Sequence, residues 1–233
     1  EDGDGYDVYL KDKSSDKYAK WHVDDKGGIV KGEFLSKSQL LEEEANSGFD
    51  INDDGVVDDK LGMIQATVSY ELAPKQESVM LMLAGGDDIN ATGNELDNMI
   101  EGNVGSNILD GKDGVDSLTG HEGADTFLFS VVTSFGDGVA DHITDFSSAE
   151  GDRLQISKKA FGISKNVSPT FQAVSRDSDL AAALASTSTL VYNSGDGSLY
   201  FNQNGSGVGF GAGGIFAVLD GAPQLQAGSI SYV

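Results

Sequence analysis

The chain has 233 residues, with 38 acidic against 15 basic side chains and a formal net charge of -23. Charge of that sign and size excludes nucleic-acid phosphate as an ordinary partner, and the lack of cysteine excludes disulfides and thiolate metal sites as staples of the fold. With 39% hydrophobic residues the chain can bury a core, so the acidity is not that of a disordered tail and carboxylates at this density point to bound cations.

No apolar run approaches the length of a membrane span. The opening "EDGDGYDVYL" carries no basic and apolar export leader. Asp2, Asp4 and Gly5 stand fifty residues before Asn52, Asp54 and Gly55, an echo expected of a segment that belongs to a longer protein.

Residues 1–62 are expected to form a small α+β module. Short alternating runs at "VYL", "YAKWHV" and "GIVKGEFL" predict antiparallel strands, with Trp21 as packing or, as the alternative, a sugar-stacking ring. Ser36 and Gln39 have capping-box spacing ahead of Leu40, Leu41 and Ala45, which predicts a helix ending at 46–48. "DINDDGVVD" follows, with Asp50, Asn52 and Asp54 at positions one, three and five, Gly55 at the turn, the Val56 carbonyl at seven and Asp58 at nine. Short oxygen side chains in that alternation wrap a hard cation, as in the front of an EF-hand-like calcium loop. Leu61 stands where an EF-hand has its bidentate glutamate, so another residue must close the shell.

Residues 63–84 read as linker strands, with Met80 and Met82 as core fillers. From residue 85 to 129 a nine-residue register takes over, in rows "GGDDIN", "GNELDNMIE", "GNVGSNILD", "GKDGVDSLT" and "GHEGADTFLF". Each complete row has glycine first, Asp or Asn sixth and an apolar residue eighth, at Ile100, Leu109, Leu118 and Phe127. Glycine at this frequency opposes a helix. The pattern fits a solenoid of short parallel strands and tight turns, its eighth positions pointing inward. That inner column is thin, and carboxylates stacked on adjacent turns repel until a cation lies between them.

The rows with Gly111, Gly114, Asp116 and Leu118, then Gly120, Gly123, Asp125 and Phe127, resemble the repeats-in-toxin family and its calcium-binding nonapeptide. The resemblance covers about residues 83–233. It implies an all-β fold, a parallel β-roll over 85–129 with calcium between turns, followed by a β-rich capping and secretion region over 130–233. It also implies ligands at Asp87, Asn98, Asn107, Gly111, Asp113, Gly114, Asp116, Gly120, Glu122, Gly123 and Asp125, some through backbone carbonyls. A sixth-position residue then shares an ion with the one two rows later, pairing Asn98 with Asp116 and Asn107 with Asp125. The earlier rows depart from the pattern, with Asn in place of Asp at 98 and 107 and Leu96 in place of a glycine. A further site is assigned to Asp137, Asp141 and Asp145, spaced by four in the exit segment.

The expected function is therefore calcium-dependent folding and type I secretion at the carboxy-terminal end of a larger extracellular bacterial protein. Its partners would be calcium ions and the secretion apparatus, with a surface polysaccharide as a further candidate. The alternative is a cell-surface adhesion or surface-layer attachment module that uses calcium bridges or glycan binding. No His-Glu-x-x-His helix or Gly-x-Ser-x-Gly elbow occurs, so no catalytic residue is assigned, and any enzyme is expected upstream.

Overall fold

Alternating β-branched and aromatic residues near the start of the chain fold as strands. The computed structural model describes residues 5–11, 18–24, 26–36, 39–40, 56–58, 63–74, 80–207 and 209–233, and the chain divides into two compact units, Glu1–Gln65 and Ala66–Val233. In the first unit, β1 (Tyr6–Lys11), β2 (Tyr18–Val23) and β3 (Ile29–Leu35) form an antiparallel sheet in the order β1-β2-β3. Val8 pairs with Trp21 and Trp21 with Gly32, so period-two alternation puts these on one face. The opposite face carries Asp7, which binds Lys20 at 3.1 Å and His22 at 2.9 Å. The β2–β3 turn is set by Asp24 Oδ1, which accepts the N–H groups of Lys26 and Gly28.

The N-terminal part of the fold departs from the expected class. Among its described residues this unit is mostly antiparallel β-structure, helical only at Gln39 and Leu40, in place of an α+β module, and the eight-residue helix among the described residues, α1 (Asp177–Leu184), lies far downstream in the second unit. Tyr, Val, Trp, Ile and Phe in residues 6–35 favour strands, whereas "DSDLAAAL" combines good helix formers with an apolar stripe. That stripe, Leu180, Ala183 and Leu184, packs with Val174, Val191 and Tyr200. The capping box itself forms, Ser36 N donating to Gln39 Oε1 at 2.9 Å and Gln39 N to Ser36 Oγ at 3.3 Å. Residues 41–50 lie outside the described residues. Two short strands follow, β4 (Val56–Asp58) and β5 (Met63–Ala66).

In the second unit, successive strands up to residue 174 are dealt alternately to two sheets. One sheet has the order β19-β14-β12-β10-β8-β6, with β6 (Tyr70–Glu71), β8 (Ala91–Thr92), β10 (Ile108–Asp110), β12 (Thr126–Phe129), β14 (Arg153–Ile156) and β19 (Ile230–Tyr232). The other takes β7 (Met80–Leu83), β9 (Met99–Glu101), β11 (Ser117–Thr119) and β13 (Asp141–Ile143). It continues through β18 (Gly214–Leu219), β17 (Ser198–Phe201), β16 (Leu190–Asn193) and β15 (Phe171–Val174).

Pairing along the coil is parallel. Leu109 stands opposite Phe127 and Ile100 opposite Leu118, two nine-residue rows apart in each case. One turn therefore consumes two rows, and every eighth-position side chain points between the sheets. Ala91, Ile100, Leu109, Leu118 and Phe127 are buried there, and Ile143 and Leu154 extend the columns. Each Leu or Phe in that position contributes about 1.5–3 kcal/mol by leaving water. At the C-terminal end the coil is closed by rings, Phe129 against Phe216 at 5.0 Å and Phe161 against Phe201 at 5.2 Å, beneath the antiparallel strands β16, β17 and β18.

Candidate metal centre

Parallel stacking places every sixth-position residue directly over the one a turn away. The Asn98 N–H donates to Asp116 Oδ1 at 2.8 Å, and the Asp116 N–H donates in turn to Asp141 Oδ1 at 3.0 Å. On the other edge of the coil the Asn107 N–H donates to Asp125 Oδ1 at 2.8 Å, and the Asp125 N–H to Asp152 Oδ1 at 2.9 Å. The pairs Asn98 with Asp116 and Asn107 with Asp125 are thus brought together by hydrogen bonds.

These bonds use one oxygen of each carboxylate. The second oxygen of Asp116 and of Asp125, Oδ2, is buried with no hydrogen-bond partner, in residues only 1% and 0% exposed. An ionised carboxylate left in that state costs several kcal/mol. Burial accordingly pushes Asp116 up to about 8, with Asp141, Asp97 and Asp110 adding repulsion. Burial likewise pushes Asp125 up to about 7, with Asp152, Asp145 and Glu150 adding to it.

The glycines make room around those oxygens. A methyl group at Gly111 would collide with Asp116 Oδ2, and one at Gly120 with Asp125 Oδ2. Gly114, at φ 123°, comes so near the preceding turn that its methyl would fall 2.6 Å from the Leu96 carbonyl oxygen, and Gly123, at φ 128°, meets the Gly105 carbonyl in the same way. Lys112 and His121, the second residues of these rows, take left-handed φ values of 76° and 67°. The Gly111 carbonyl oxygen lies beside Asn98 Oδ1 at Gly93, and the Gly120 carbonyl oxygen beside Asn107 Oδ1 at Gly102. Backbone carbonyl and side-chain amide oxygens of adjacent turns are therefore close neighbours there, and oxygen is the donor a hard cation takes.

The remaining predicted site residues are more dispersed. Ala91 pairs with Leu109, which makes Asp87 the fourth residue of its row, its carboxylate exposed and its carbonyl accepting from Asn103 Nδ2 at 3.0 Å. Asp113 accepts the Thr133 hydroxyl, and Glu122 is exposed. Asp137, Asp141 and Asp145 separate: Asp141 lies under Asp116, Asp145 accepts the N–H groups of Gly120 and His121 at 2.9 and 2.8 Å, and Asp137 is exposed. Asp50, Asn52 and Asp54 lie outside the described residues, and Val56 and Asp58 belong to β4.

Sequence reasoning passed over Asp152, Asn94 and Asn103. Asp152 is buried, with its second oxygen accepting Ser147 N–H at 2.7 Å; it stands twenty-seven residues past Asp125, off the eighteen-residue step, so no period reveals it. Asn94 and Asn103 were readable from the repeated "GN" that opens their rows. Among the described residues no group of three or more His, Asp or Glu side chains is gathered to hold a metal ion. Among them, too, no helix is long and apolar enough to cross a membrane.

No protein-family model matches the chain. No curated protein sequence matches it either.

Proposed function

We propose that the second unit is a cation-gated folding module that takes up calcium at the turns of Asp116 and Asp125. The observation that carries this reading is the pair of buried, unpartnered oxygens, Asp116 Oδ2 and Asp125 Oδ2, each packed against a glycine whose missing Cβ makes room for it. A bound divalent cation would supply the positive charge that keeps both carboxylates ionised. Asp116 and Asp125 would hold it together with backbone carbonyl oxygens of neighbouring turns, since side-chain carboxylates alone are too few. Calcium fits better than magnesium because it accepts six to eight oxygens in flexible geometry, while magnesium demands a strict octahedron and retains its water.

Binding of this kind adds directly to folding free energy, because the site exists only when adjacent turns are stacked. With a net charge of -23, self-repulsion opposes compaction until cations arrive. A chain built this way stays loose where free calcium is scarce and closes where it is millimolar, which suits a segment exported by a type I secretion apparatus and folded outside the cell. A calcium titration of the full chain, followed by far-ultraviolet circular dichroism and calorimetry, tests the reading. A saturable calcium-induced gain of β-signal that magnesium fails to reproduce is expected, and equal spectra in chelator and in calcium would refute it.

A further inference from the structure

The four complete rows of the coil each contain one tight turn, and these tight turns are built in two different ways. In the turns at 111–116 and 120–125 the second residue points away from the sixth: Lys112 Nζ reaches Asp110 at 3.6 Å and His121 Nε2 reaches Glu101 at 3.5 Å. The sixth-position carboxylate then keeps one oxygen without a partner.

In the turns at 93–98 and 102–107 the second residue is asparagine, and its side chain closes on the sixth. Asn94 N donates to Asn98 Oδ1 at 2.9 Å and Asn98 Nδ2 returns a bond to Asn94 Oδ1 at 3.3 Å. Asn103 N donates to Asn107 Oδ1 at 2.8 Å and Asn107 Nδ2 returns one to Asn103 Oδ1 at 3.0 Å. The same Oδ1 atoms accept Leu96 N and Gly105 N at 3.0 and 2.8 Å. Further amide protons reach carbonyl oxygens of the preceding turn: Asn94 Nδ2 to Ala73 O at 2.9 Å, Asn103 Nδ2 to Asp87 O at 3.0 Å and Asn107 Nδ2 to Ile89 O at 2.7 Å. All four asparagines are buried.

An amide NH2 and a cation answer the same need, a positive pole facing inward-turned oxygens. A neutral, mutually hydrogen-bonded amide pair does so without adding charge and without a ligand from solution. We propose that Asn94 and Asn103 decide which turns take a cation: their turns are filled by side-chain amides, assemble without metal, and offer the Asn98 and Asn107 N–H groups as a platform for Asp116 and Asp125. This rests on the cation-binding reading of the Asp116 and Asp125 turns. The coil then has a metal-independent first half and a calcium-requiring second half, and calcium stoichiometry is set by the second residue of each row as much as by the sixth.

Hydrogen–deuterium exchange of the full chain in chelator and in about 2 mM calcium, read peptide by peptide, tests this without any substitution. In chelator, residues 91–110 are expected to exchange about tenfold more slowly than residues 111–129, and calcium to slow mainly the latter. Equal exchange of the two segments in chelator would overturn the proposal. As a second test, Asn103→Gly combined with Asn107→Asp rebuilds an open carboxylate turn. It should bind one additional calcium ion by calorimetry and lose its protection in chelator, and unchanged stoichiometry in a variant that still folds in calcium would also overturn it. A protected 91–110 segment in a chain that binds no calcium would instead sink the cation-binding reading and leave the amide pairing standing.

Discussion

The Asp125 carboxylate is split between two environments: Oδ1 accepts the Asn107 N–H at 2.8 Å from one turn away, while Oδ2 is buried with no partner. Asp116 repeats the arrangement beneath Asn98. One oxygen stacks the turns, and the other is the atom a cation would satisfy.

Replacing Asp125 with Ala removes both. A hydrogen bond to a charged group contributes about 1.5–3 kcal/mol, so Asp125→Ala should raise the calcium concentration at the folding midpoint about tenfold or more, with Asp116→Ala close behind. Glu122→Ala, at an exposed position of the same turn, should shift it far less. Titrations followed by far-ultraviolet ellipticity rank the three, and an equal shift for Glu122→Ala would show that bulk charge governs folding.

The raised pKa values give a pH dependence with a definite sign. Asp116, about 8, and Asp125 and Asp141, each about 7, lie above the usual 3.8 because burial disfavours their charged forms. A group whose folded value is raised stabilises the fold fully below its unfolded value, and that contribution is lost as pH climbs through the folded value. In chelator the melting temperature of the second unit should therefore fall as pH rises from about 5 to about 8, most steeply below about 7, and level off above about 8, where folded and unfolded chains have both released these protons. Calcium should remove that fall, since it binds the deprotonated form and displaces the protons. Scanning calorimetry at several pH values checks both halves, and a melting temperature that rises with pH in chelator would contradict the assignment.

The glycines of the turns are not interchangeable with alanine. At Gly114 the left-handed φ and the Leu96 carbonyl 2.6 Å from a methyl act together, so Gly114→Ala should cost about 2 kcal/mol or more by strain and displacement of a neighbouring turn. Gly138→Ala, with nothing within 4 Å of its methyl, serves as the control and should leave stability within about 0.5 kcal/mol. Urea unfolding in saturating calcium measures the difference.

The inner columns respond as ordinary core. Leu118 is 1% exposed and stacked between Ile100 and Ile143, so Leu118→Ala should destabilise the calcium-saturated fold by about 2–5 kcal/mol. Unlike Asp125→Ala, it should leave the number of bound ions unchanged in the folded protein.

The eighth-position column and the partnership of sixth positions two rows apart were legible because one step of nine residues governs both. The exit was not. Leu118 pairs with Ile143 and Phe127 with Leu154, offsets of twenty-five and twenty-seven where the repeat has eighteen, so loops of different length deliver Asp141 and Asp152 to the ladder without leaving a period. Equal spacing in sequence also misled: Asp137, Asp141 and Asp145 look like one ligand set, yet the alternation of sheets sends Asp141 and Asp145 to different edges of the coil. Helix α1 has an uncapped start, Arg176 making no side-chain cap bond, so the punctuation that marked Ser36 and Gln39 is missing there, and the helix left no start signal in the sequence.

Calcium stoichiometry tests the central claim most directly. Calorimetric titration of the intact chain and of the Asp116→Asn, Asp125→Asn double variant should show saturable binding in the first and the loss of two ions in the second, with magnesium displacing neither. Identical stoichiometry in the two proteins, or no calcium bound by the intact chain at millimolar concentration, would contradict the account.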